Sequence, residues 1–188
     1  MAAELTQATV RVLSALPRST MTQAIGWLSE RRVPPAARPL LLGGLARAFG
    51  MDLSEAERDI GDYATFQALF CRRLAEGARR CDVDERRVVS PVDGRLVEAG
   101  PVGLAATFRV KGRSYDLAKL LDDDAAAQRY TGGTYAIFYL SPRDYHRMHS
   151  PVQGRVAGYH WIQGDFWPVN DLARHLPDVY GDNERVVT

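Results

Sequence analysis

The sequence predicts an α+β protein: a helical region over residues 1–80, followed by a β-rich, sandwich-like or barrel-like region over residues 81–188. Apolar residues recur at helical spacing in the first region. From residue 88 onward, short β-branched and aromatic segments alternate with glycine and proline. With 46% hydrophobic and 25% charged residues among 188, the composition is that of a globular protein and excludes collagen-like, low-complexity and disordered classes.

Three short helices are predicted before residue 50. The first covers residues 5–16 and ends before Pro17. The second begins at a cap formed by Ser19 or Thr20. After the interruption at Pro34 and Pro35, the third ends at Gly50.

This N-terminal third is both basic and apolar. Residues 1–50 hold six arginines and two glutamates, a formal charge of +4, whereas the rest of the chain sums to −3. Arginines beside an apolar helix face suit a helix that lies in a membrane interface, and Trp27 next to Arg31 and Arg32 favours that interpretation. The alternative is a helical cap that packs on its own domain with a solvated basic rim.

Two further helices and a linker are predicted before the strands. Ser54 and Glu57 have the spacing of a capping box. A helical stripe from Phe66 to Leu74 predicts a core face, with Cys71 buried in it. The polar segment 77–87 resembles a linker.

The strands are expected in short segments separated by turns. Lys111-Gly112 has the character of a hairpin turn, and residues 116–121 of a helical turn. The predicted strands are 88–91, 95–100, 107–115, 134–142 and 152–162.

Several classes of protein are excluded or disfavoured by simple features. No run of about 18 apolar residues exists, so no membrane span is expected. The N-terminus has an early acidic residue, Glu4, and no basic stretch, so we expect no signal peptide. Cys71 and Cys81 are too few for a disulfide scaffold or a metal cluster, which favours a reduced, cytosolic setting and no metal.

An internal repeat joins two distant segments. Residues 90–96 are SPVDGRL and residues 150–156 are SPVQGRV, which suggests two related β units. The copies differ in that Asp93 stands where the other has Gln153. An acid in one copy is typical of a duplicated scaffold in which one half carries chemistry. The alternative, an Asx turn before Gly94, is the interpretation that the repeat alone favours.

A second cluster lies in YLSPRDYHRMHSPVQG, residues 139–154, directly after an apolar strand. Loops at strand ends often carry function. His146 and His149, three residues apart, are weak evidence for a metal and better evidence for acid–base chemistry. The charged and aromatic residues that crowd this loop are Arg143, Asp144, Tyr145, His146, Arg147 and His149.

This loop resembles the signature of the phosphatidylserine decarboxylase proenzymes, which pair a YLSPRDYHR-x-H-x-P segment with an upstream P-x-DG. The upstream element here is Pro91 to Gly94. Further similarities are the DYATF segment at 62–66 with the Arg72, Arg73 and Leu74 that follow it, the GDF at 164–166 with the Val169-Asn170 after it, and the NERV at 183–186.

The resemblance implies an enzyme of phospholipid biosynthesis that decarboxylates phosphatidylserine to phosphatidylethanolamine. In that family a serine in an LGST-like motif attacks the preceding carbonyl, and the resulting ester is eliminated and hydrolysed to leave a covalent pyruvoyl group. By resemblance His149 is the base that activates the serine, and Asp93 is the carboxylate that orients His149. The pyruvoyl group then withdraws electrons as carbon dioxide leaves.

Other residues of the loop receive roles by the same resemblance. His146 is the candidate for assisting protonation after decarboxylation or for contacting the substrate. Arg143, Tyr145 and Arg147 are candidates for substrate binding, since an arginine can hold a phosphate or carboxylate. Either arginine could equally form a surface ion pair.

The sequence departs from the family in one respect. None of its serines follows Leu-Gly or Gly-Gly, so we expect a β-chain portion that is truncated before the processing site and inactive by itself. The expected partners are phosphatidylserine in the membrane, a C-terminal α chain from the same proenzyme and a second αβ unit in a homodimer, with no nucleic acid. The expected location is the cytoplasmic side of a bacterial inner membrane.

Two other functions are consistent with parts of the sequence. Paired SPVDG-like turns also occur in sandwich-type carrier and phosphotransfer modules, in which Lys111 would be the attachment point or a histidine the phosphate acceptor. A non-catalytic membrane-surface protein is the third possibility. An adduct on Lys111 or a phosphohistidine, detected by mass spectrometry, would identify the carrier.

Overall fold

A computed structural model describes residues 18–79, 84, 86–110, 113–165, 169 and 179–188. The chain divides into two compact units. The described residues within 24–95 and 140–155 form one, which we call the helical unit. The described residues within 18–23, 96–139 and 156–188 form the other, which we call the strand unit. The signature loop therefore belongs to the same unit as the helices, although the predicted boundary near residue 80 remains a prediction.

In the described part of the chain, three α-helices and two 3₁₀ turns precede the strands. The α-helices are α1 (Arg18–Ser29), α2 (Arg38–Phe49) and α3 (Phe66–Phe70), and the 3₁₀ turns are Pro35–Ala37 and Ile60–Asp62.

The ends of these helices follow from the local sequence. Gly50 ends α2 as predicted, because its left-handed backbone (φ 67°) lets its N–H bond the carbonyl groups of the last turn. The Thr65 hydroxyl caps α3 by accepting a 3.0 Å hydrogen bond from the N–H of Ala68. Arg38, the first residue of α2, donates to the carbonyl oxygens of Val33 and Gly61, each at 3.0 Å. These bonds fix the start of α2 against both 3₁₀ turns.

The core of the helical unit lies between α2, α3 and the segment that joins them. Leu42 and Leu69 are fully buried, at 1% and 0% exposure. Ala46, Met51 and Tyr63 complete the buried cluster. This core supports the chain immediately before Cys71, and so it supports the residues beneath the signature loop.

Several predictions for this region are wrong. Ser54 and Glu57 do not begin a helix: the Ser54 N–H donates to the Asp52 carboxylate at 2.9 Å, and Ala56 forms an antiparallel bridge with Leu74. The helix predicted from Phe66 to Leu74 therefore ends at Phe70, as α3. Cys71 is exposed rather than buried. Ser19 and Thr20 lie inside α1 instead of capping it.

The strand unit contains most of the strands and three short helices. In chain order the elements after residue 94 are β1 (Arg95–Pro101), β2 (Thr107–Val110), β3 (Arg113–Asp116), α4 (Leu117–Leu121), α5 (Asp124–Arg129), β4 (Thr134–Tyr139), β5 (His160–Ile162), α6 (Val179–Asp182) and β6 (Arg185–Val187).

The hairpin prediction is confirmed. Strands β2 and β3 pair antiparallel, with Phe108 opposite Tyr115 and Val110 opposite Arg113. The turn itself, Lys111-Gly112, lies outside the described residues. Phe108, Val110 and Tyr115 form the buried core here, and Asp116 then caps α4 through the N–H of Ala118 at 2.8 Å.

The α+β class is confirmed, but the predicted sandwich or barrel is not. The described strands form three two-stranded sheets, β1–β4, β2–β3 and β5–β6, and no closed barrel occurs among them. Residues 88–91 and 152–159, expected as strands, are irregular. The predicted helix over residues 5–16 lies outside the described part of the chain. None of the described helices has both the length and the apolar character needed to traverse a bilayer.

Candidate functional site

Asp144 shapes the start of the signature loop. Its carboxylate accepts a 2.7 Å hydrogen bond from the N–H of Ser141, and its own N–H donates to the Ser141 carbonyl at 2.9 Å. These two bonds close a tight turn directly after β4. Arg143 lies beside it, with Nε 3.5 Å from the Asp144 carboxylate and a side chain that is 70% exposed. Arg143 is therefore available to solvent.

His146 is held in a defined orientation. Its Nδ1 lies 2.9 Å from the backbone carbonyl oxygen of Asp144. A carbonyl can only accept, so this hydrogen bond requires the proton on Nδ1 and leaves Nε2 as the acceptor of the neutral ring. The ring packs on Phe70, with centroids 4.0 Å apart, at the end of α3.

The two repeated segments meet at the backbone. The N–H of His149 donates to the carbonyl of Pro91 at 2.7 Å, and the N–H of Val89 donates to the carbonyl of Pro151 at 2.9 Å. The predicted base, His149, is therefore hydrogen bonded to Pro91, which is two residues before the predicted carboxylate, Asp93.

The ring of His149 lies at a cleft of about 380 Å³ in the helical unit. The buried Tyr145 packs against it, with ring centroids 5.6 Å apart. The Nε2 atom of His149 is buried and has no hydrogen-bond partner among the described residues. A buried polar atom without a partner is rare because it loses its bond to water, so its presence beside a cleft indicates a site that another group completes.

Asp93 is hydrogen bonded by Arg79, which lies in the segment predicted to be a linker. Arg79 donates to Oδ2 of Asp93 from Nε at 2.8 Å and also from Nη2. The same guanidinium forms a bidentate pair with Glu55, at 2.9 Å to each oxygen. Hydrogen bonds from Arg79 lower the pKa of Glu55, and hydrogen bonds to Glu55 and Asp93 raise the pKa of Arg79. Arg79 also lines the His149 cleft, so it connects the predicted carboxylate to that cleft.

Arg147 and Tyr145 complete the set of predicted residues. Arg147 donates from Nε to the carbonyl oxygen of Cys71 at 2.9 Å, and its side chain borders the His149 cleft. Tyr145, at 7% exposure, is a packing partner of His149 more than a free substrate contact. The structure therefore places all six predicted residues in the helical unit. It does not record a hydrogen bond between Asp93 and His149.

Two observations bear on metals. No group of three or more His, Cys, Asp or Glu side chains suited to a metal ion occurs in the part of the chain that the structure describes. His160, outside the signature loop, lies 3.4 Å from the Asp122 carboxylate in the strand unit.

Sequence reasoning missed Arg79 and Asp144 as parts of the site. Asp144 was noticed in the loop but given no role, and its place next to a Ser-Pro turn is the signal that could have identified it. Arg79 lies among charged residues typical of a solvated linker. Its partners are Glu55, 24 positions earlier, and Asp93, 14 positions later, so no neighbouring residue indicates the pairing.

The two repeated segments bring an acid, Asp93, and an imidazole, His149, into one unit of this α+β chain. An acid–base catalyst is expected to have these groups. Comparison with known proteins gives the family. Residues 66–188 match the model of the family described as phosphatidylserine decarboxylase.

Similar proteins are named phosphatidylserine decarboxylase proenzyme. One from Myxococcus xanthus is 37% identical over 183 residues, which cover 97% of this chain and 65% of that protein. One from an Anaeromyxobacter species is 41% identical over 180 residues, covering 95% and 64%. One from Xanthomonas euvesicatoria is 40% identical over 171 residues, covering 90% and 60%.

The chain belongs to the phosphatidylserine decarboxylase family. It spans between 60% and 65% of the length of these three relatives. Membership confirms the resemblance seen in the signature loop and disfavours the carrier or phosphotransfer alternative.

Proposed function

We propose that this chain forms the β-chain portion of a phosphatidylserine decarboxylase, which converts phosphatidylserine to phosphatidylethanolamine. The reaction uses a pyruvoyl group made by self-cleavage at a serine, and that serine is on polypeptide additional to the 188 residues here. The observation that carries the proposal is the Nε2 of His149, which is buried at a cleft and has no hydrogen-bond partner among the residues that the structure describes, in a chain of this family.

His149 has the properties required of the base that activates a serine. A serine hydroxyl is a poor nucleophile at neutral pH, so a positioned base must take its proton. The Nε2 of His149 faces no competing donor among the described residues. The backbone bond to Pro91 and the packing of Tyr145 restrict the position of the ring, which favours a fixed angle of approach.

Asp93 is the proposed carboxylate that orients His149. Its segment is joined to the His149 segment by two backbone hydrogen bonds, so the two residues are anchored together. Arg79 bonds only Oδ2 of Asp93, and a carboxylate has further acceptor capacity on its other oxygen. A hydrogen bond from Nδ1 of His149 to that oxygen would set the tautomer that leaves Nε2 basic.

The residues present fit a serine-derived group beside His149. The orphaned Nε2 needs a hydroxyl or an equivalent donor within reach, and the open cleft supplies room for one. When present, the pyruvoyl group would supply an electron-withdrawing carbonyl, which stabilises the electron pair that departing carbon dioxide leaves on the substrate carbon.

Three residues are proposed to serve the decarboxylation itself, and a fourth, Tyr145, supports the base of self-cleavage. His146 keeps its Nδ1 proton on the Asp144 carbonyl and so presents Nε2 for proton exchange with the substrate. Arg143 and Arg147 carry positive charge at the surface of the loop, suited to the anionic groups of the lipid. Tyr145 acts by packing against His149.

The test is a chimera in which this chain is followed by the remaining C-terminal third of the Myxococcus xanthus relative. We expect self-cleavage into two chains, seen on a gel and by mass spectrometry, and release of carbon dioxide from labelled phosphatidylserine. Asp93→Ala and His149→Ala should each slow cleavage by about a hundredfold or more, because general base catalysis contributes on that order.

Gln153→Ala is the matched control, since Gln153 occupies the position of Asp93 in the second repeat. It should cleave at the unmodified rate. Normal cleavage of both the Asp93 and the His149 variants would refute the assignment.

We further propose that the N-terminal helices dock on the cytoplasmic face of the inner membrane. Apolar side chains on α1 and α2 are widely exposed, and the Arg31 guanidinium stacks 3.6 Å from the centre of the Trp27 ring. Such a surface, apolar with a basic margin, suits the boundary between headgroups and acyl chains. The exposed residues are Ile25, Trp27, Leu28, Leu40, Leu41, Leu45 and Phe49.

Flotation with anionic vesicles tests this docking. Leu28→Asp should lower the membrane-bound fraction roughly tenfold or more, since burying one leucine contributes about 1.5–3 kcal/mol. Leu104→Asp is the matched control, because Leu104 is 89% exposed in the strand unit. Equal flotation of the Leu28 variant and the unmodified chain would contradict membrane docking by α1.

The remaining proposals concern assembly. We propose that an α chain from the same proenzyme adds strands to the three two-stranded sheets and completes a sandwich-like or barrel-like domain. Two such αβ units would form a homodimer. Size measurement of the processed chimera tests whether the α chain stays bound and whether two αβ units associate.

A further inference from the structure

A second cleft in the helical unit is dominated by arginine. Its volume is about 360 Å³, and its lining includes four guanidinium groups and one carboxylate, those of Arg58, Arg72, Arg73, Arg147 and Glu57. We call it the arginine cleft. Like charges gathered at one concave surface repel each other unless an anion lies among them, so this lining indicates an anionic ligand.

Arg72 makes the cleft a built site. The side chain is only 3% exposed, and its Nη2 donates to the backbone carbonyl of Asp52 at 3.2 Å. Its Nε and Nη1 are buried and have no hydrogen-bond partner among the described residues. A buried charged group with unsatisfied donors is costly, and an anion bound in the cleft would supply Arg72 with an acceptor and a balancing charge.

The carboxylates near the cleft do not fill this need. Glu57 lies 3.7 Å from Nε of Arg58. Asp52 accepts a hydrogen bond from the backbone N–H of Ser54, and this bond is the largest cause of the lowered pKa of Asp52. The charge of Arg72 is the smallest cause of that shift. Arg72, Arg73 and Arg147 therefore remain as the cationic groups that could bind an external anion.

The chemistry of these groups favours phosphate. A planar guanidinium presents paired N–H donors that match two oxygens of a phosphate. Several guanidinium groups together balance more of the negative charge of a phosphate than one does. Arg73 and Arg147 also line the His149 cleft, so the two clefts share a wall. A ligand held by its phosphate in the arginine cleft would therefore lie next to the His149 cleft.

We propose that the arginine cleft binds the phosphate group of a phospholipid headgroup. This assignment rests on the proposed function, because it makes the lipid substrate the molecule that extends from the arginine cleft toward His149. Arg72 is the buried anchor of the site, and Arg73 is its exposed wall.

Cys71 gives a readout that requires no catalysis. It is exposed and lines the arginine cleft. With Cys81→Ser as the background, alkylation by iodoacetamide reports Cys71 alone. A bound phosphate would cover the thiol and, by its negative charge, disfavour the reactive thiolate, so the rate should fall.

Two probes distinguish the sources of phosphate: inorganic phosphate, and dihexanoyl phosphatidylserine below its micelle-forming concentration. We expect the short-chain lipid to slow alkylation by on the order of fivefold at several times its Kd, with inorganic phosphate acting more weakly. Arg72→Gln and Arg73→Gln should each remove the protection. Arg86→Gln should keep it, because Arg86 has an 89% exposed side chain outside the cleft.

Each other outcome decides against the assignment. Protection by inorganic phosphate alone overturns the lipid headgroup, and protection by neither probe overturns the site. Equal loss in the Arg86 variant shows a general charge effect and also overturns it. Arg73→Gln alters an exposed residue, so it carries the test if Arg72→Gln fails to fold.

The result is independent of self-cleavage. Protection in a chain whose chimera does not cleave would leave the cleft standing and refute the proposed function. Cleavage of the chimera without protection of Cys71 would refute the cleft alone.

Discussion

Leu69→Ala tests how much the buried cluster of the helical unit stabilises the fold. Leu69 is fully buried in α3, among Leu42, Met51 and Tyr63. The substitution removes three carbon atoms, worth about 0.8 kcal/mol each, and adds a cavity cost, which gives a loss of about 3 kcal/mol in the free energy of unfolding. That loss is a large fraction of the stability of a typical domain.

Urea unfolding followed by far-ultraviolet circular dichroism measures this loss. With a slope of about 2 kcal/mol per molar urea, the midpoint should fall by about 1.5 M. Leu40→Ala is the matched control, because Leu40 is 72% exposed on α2 and should change stability by less than about 0.5 kcal/mol. A midpoint for Leu69→Ala within about 0.3 M of the Leu40 variant would refute the reasoning.

Two further predictions concern charge and catalysis. The pKa of Glu55 is lowered by its hydrogen bonds from Arg79, so the pair stabilises the fold above the unfolded pKa of about 4.3 and loses this effect as pH falls through the folded pKa. The stability difference between the unmodified chain and Arg79→Gln should therefore be constant above about pH 5.5 and shrink toward pH 3 in urea titrations; growth on acidification would contradict it. In the chimera, His146→Ala should leave self-cleavage intact and lower decarboxylation about a hundredfold. Undiminished release of carbon dioxide would remove its proposed role.

Patterns that depend on neighbouring residues could be predicted from the sequence. The end of α2 at Gly50 follows from the backbone freedom of glycine, and the β2–β3 hairpin follows from two β-branched and aromatic runs on either side of Lys111-Gly112. The long signature loop gave the family for the same reason, since all of its residues are contiguous.

Features that depend on distant contacts could not be predicted. The capping box at Ser54 and Glu57 was outweighed by the bridge between Ala56 and Leu74, which lie 18 residues apart. Cys71 follows a helix that stops at Phe70, so the stripe that should have buried it does not continue. In each case a tertiary contact or an early helix end outweighed a local preference.

The position of Arg79 explains how Asp93 and His149 could act together although Asp93 is already hydrogen bonded. An isolated carboxylate rotates freely, but Arg79 contacts one oxygen with two donors and is itself clamped by Glu55 on its other side. The carboxylate is therefore held in one orientation, with its second oxygen left for the imidazole that we propose as its partner. If so, Arg79 is a positioning residue. Its loss should reduce the rate of self-cleavage without abolishing it, whereas loss of Asp93 removes the acceptor itself.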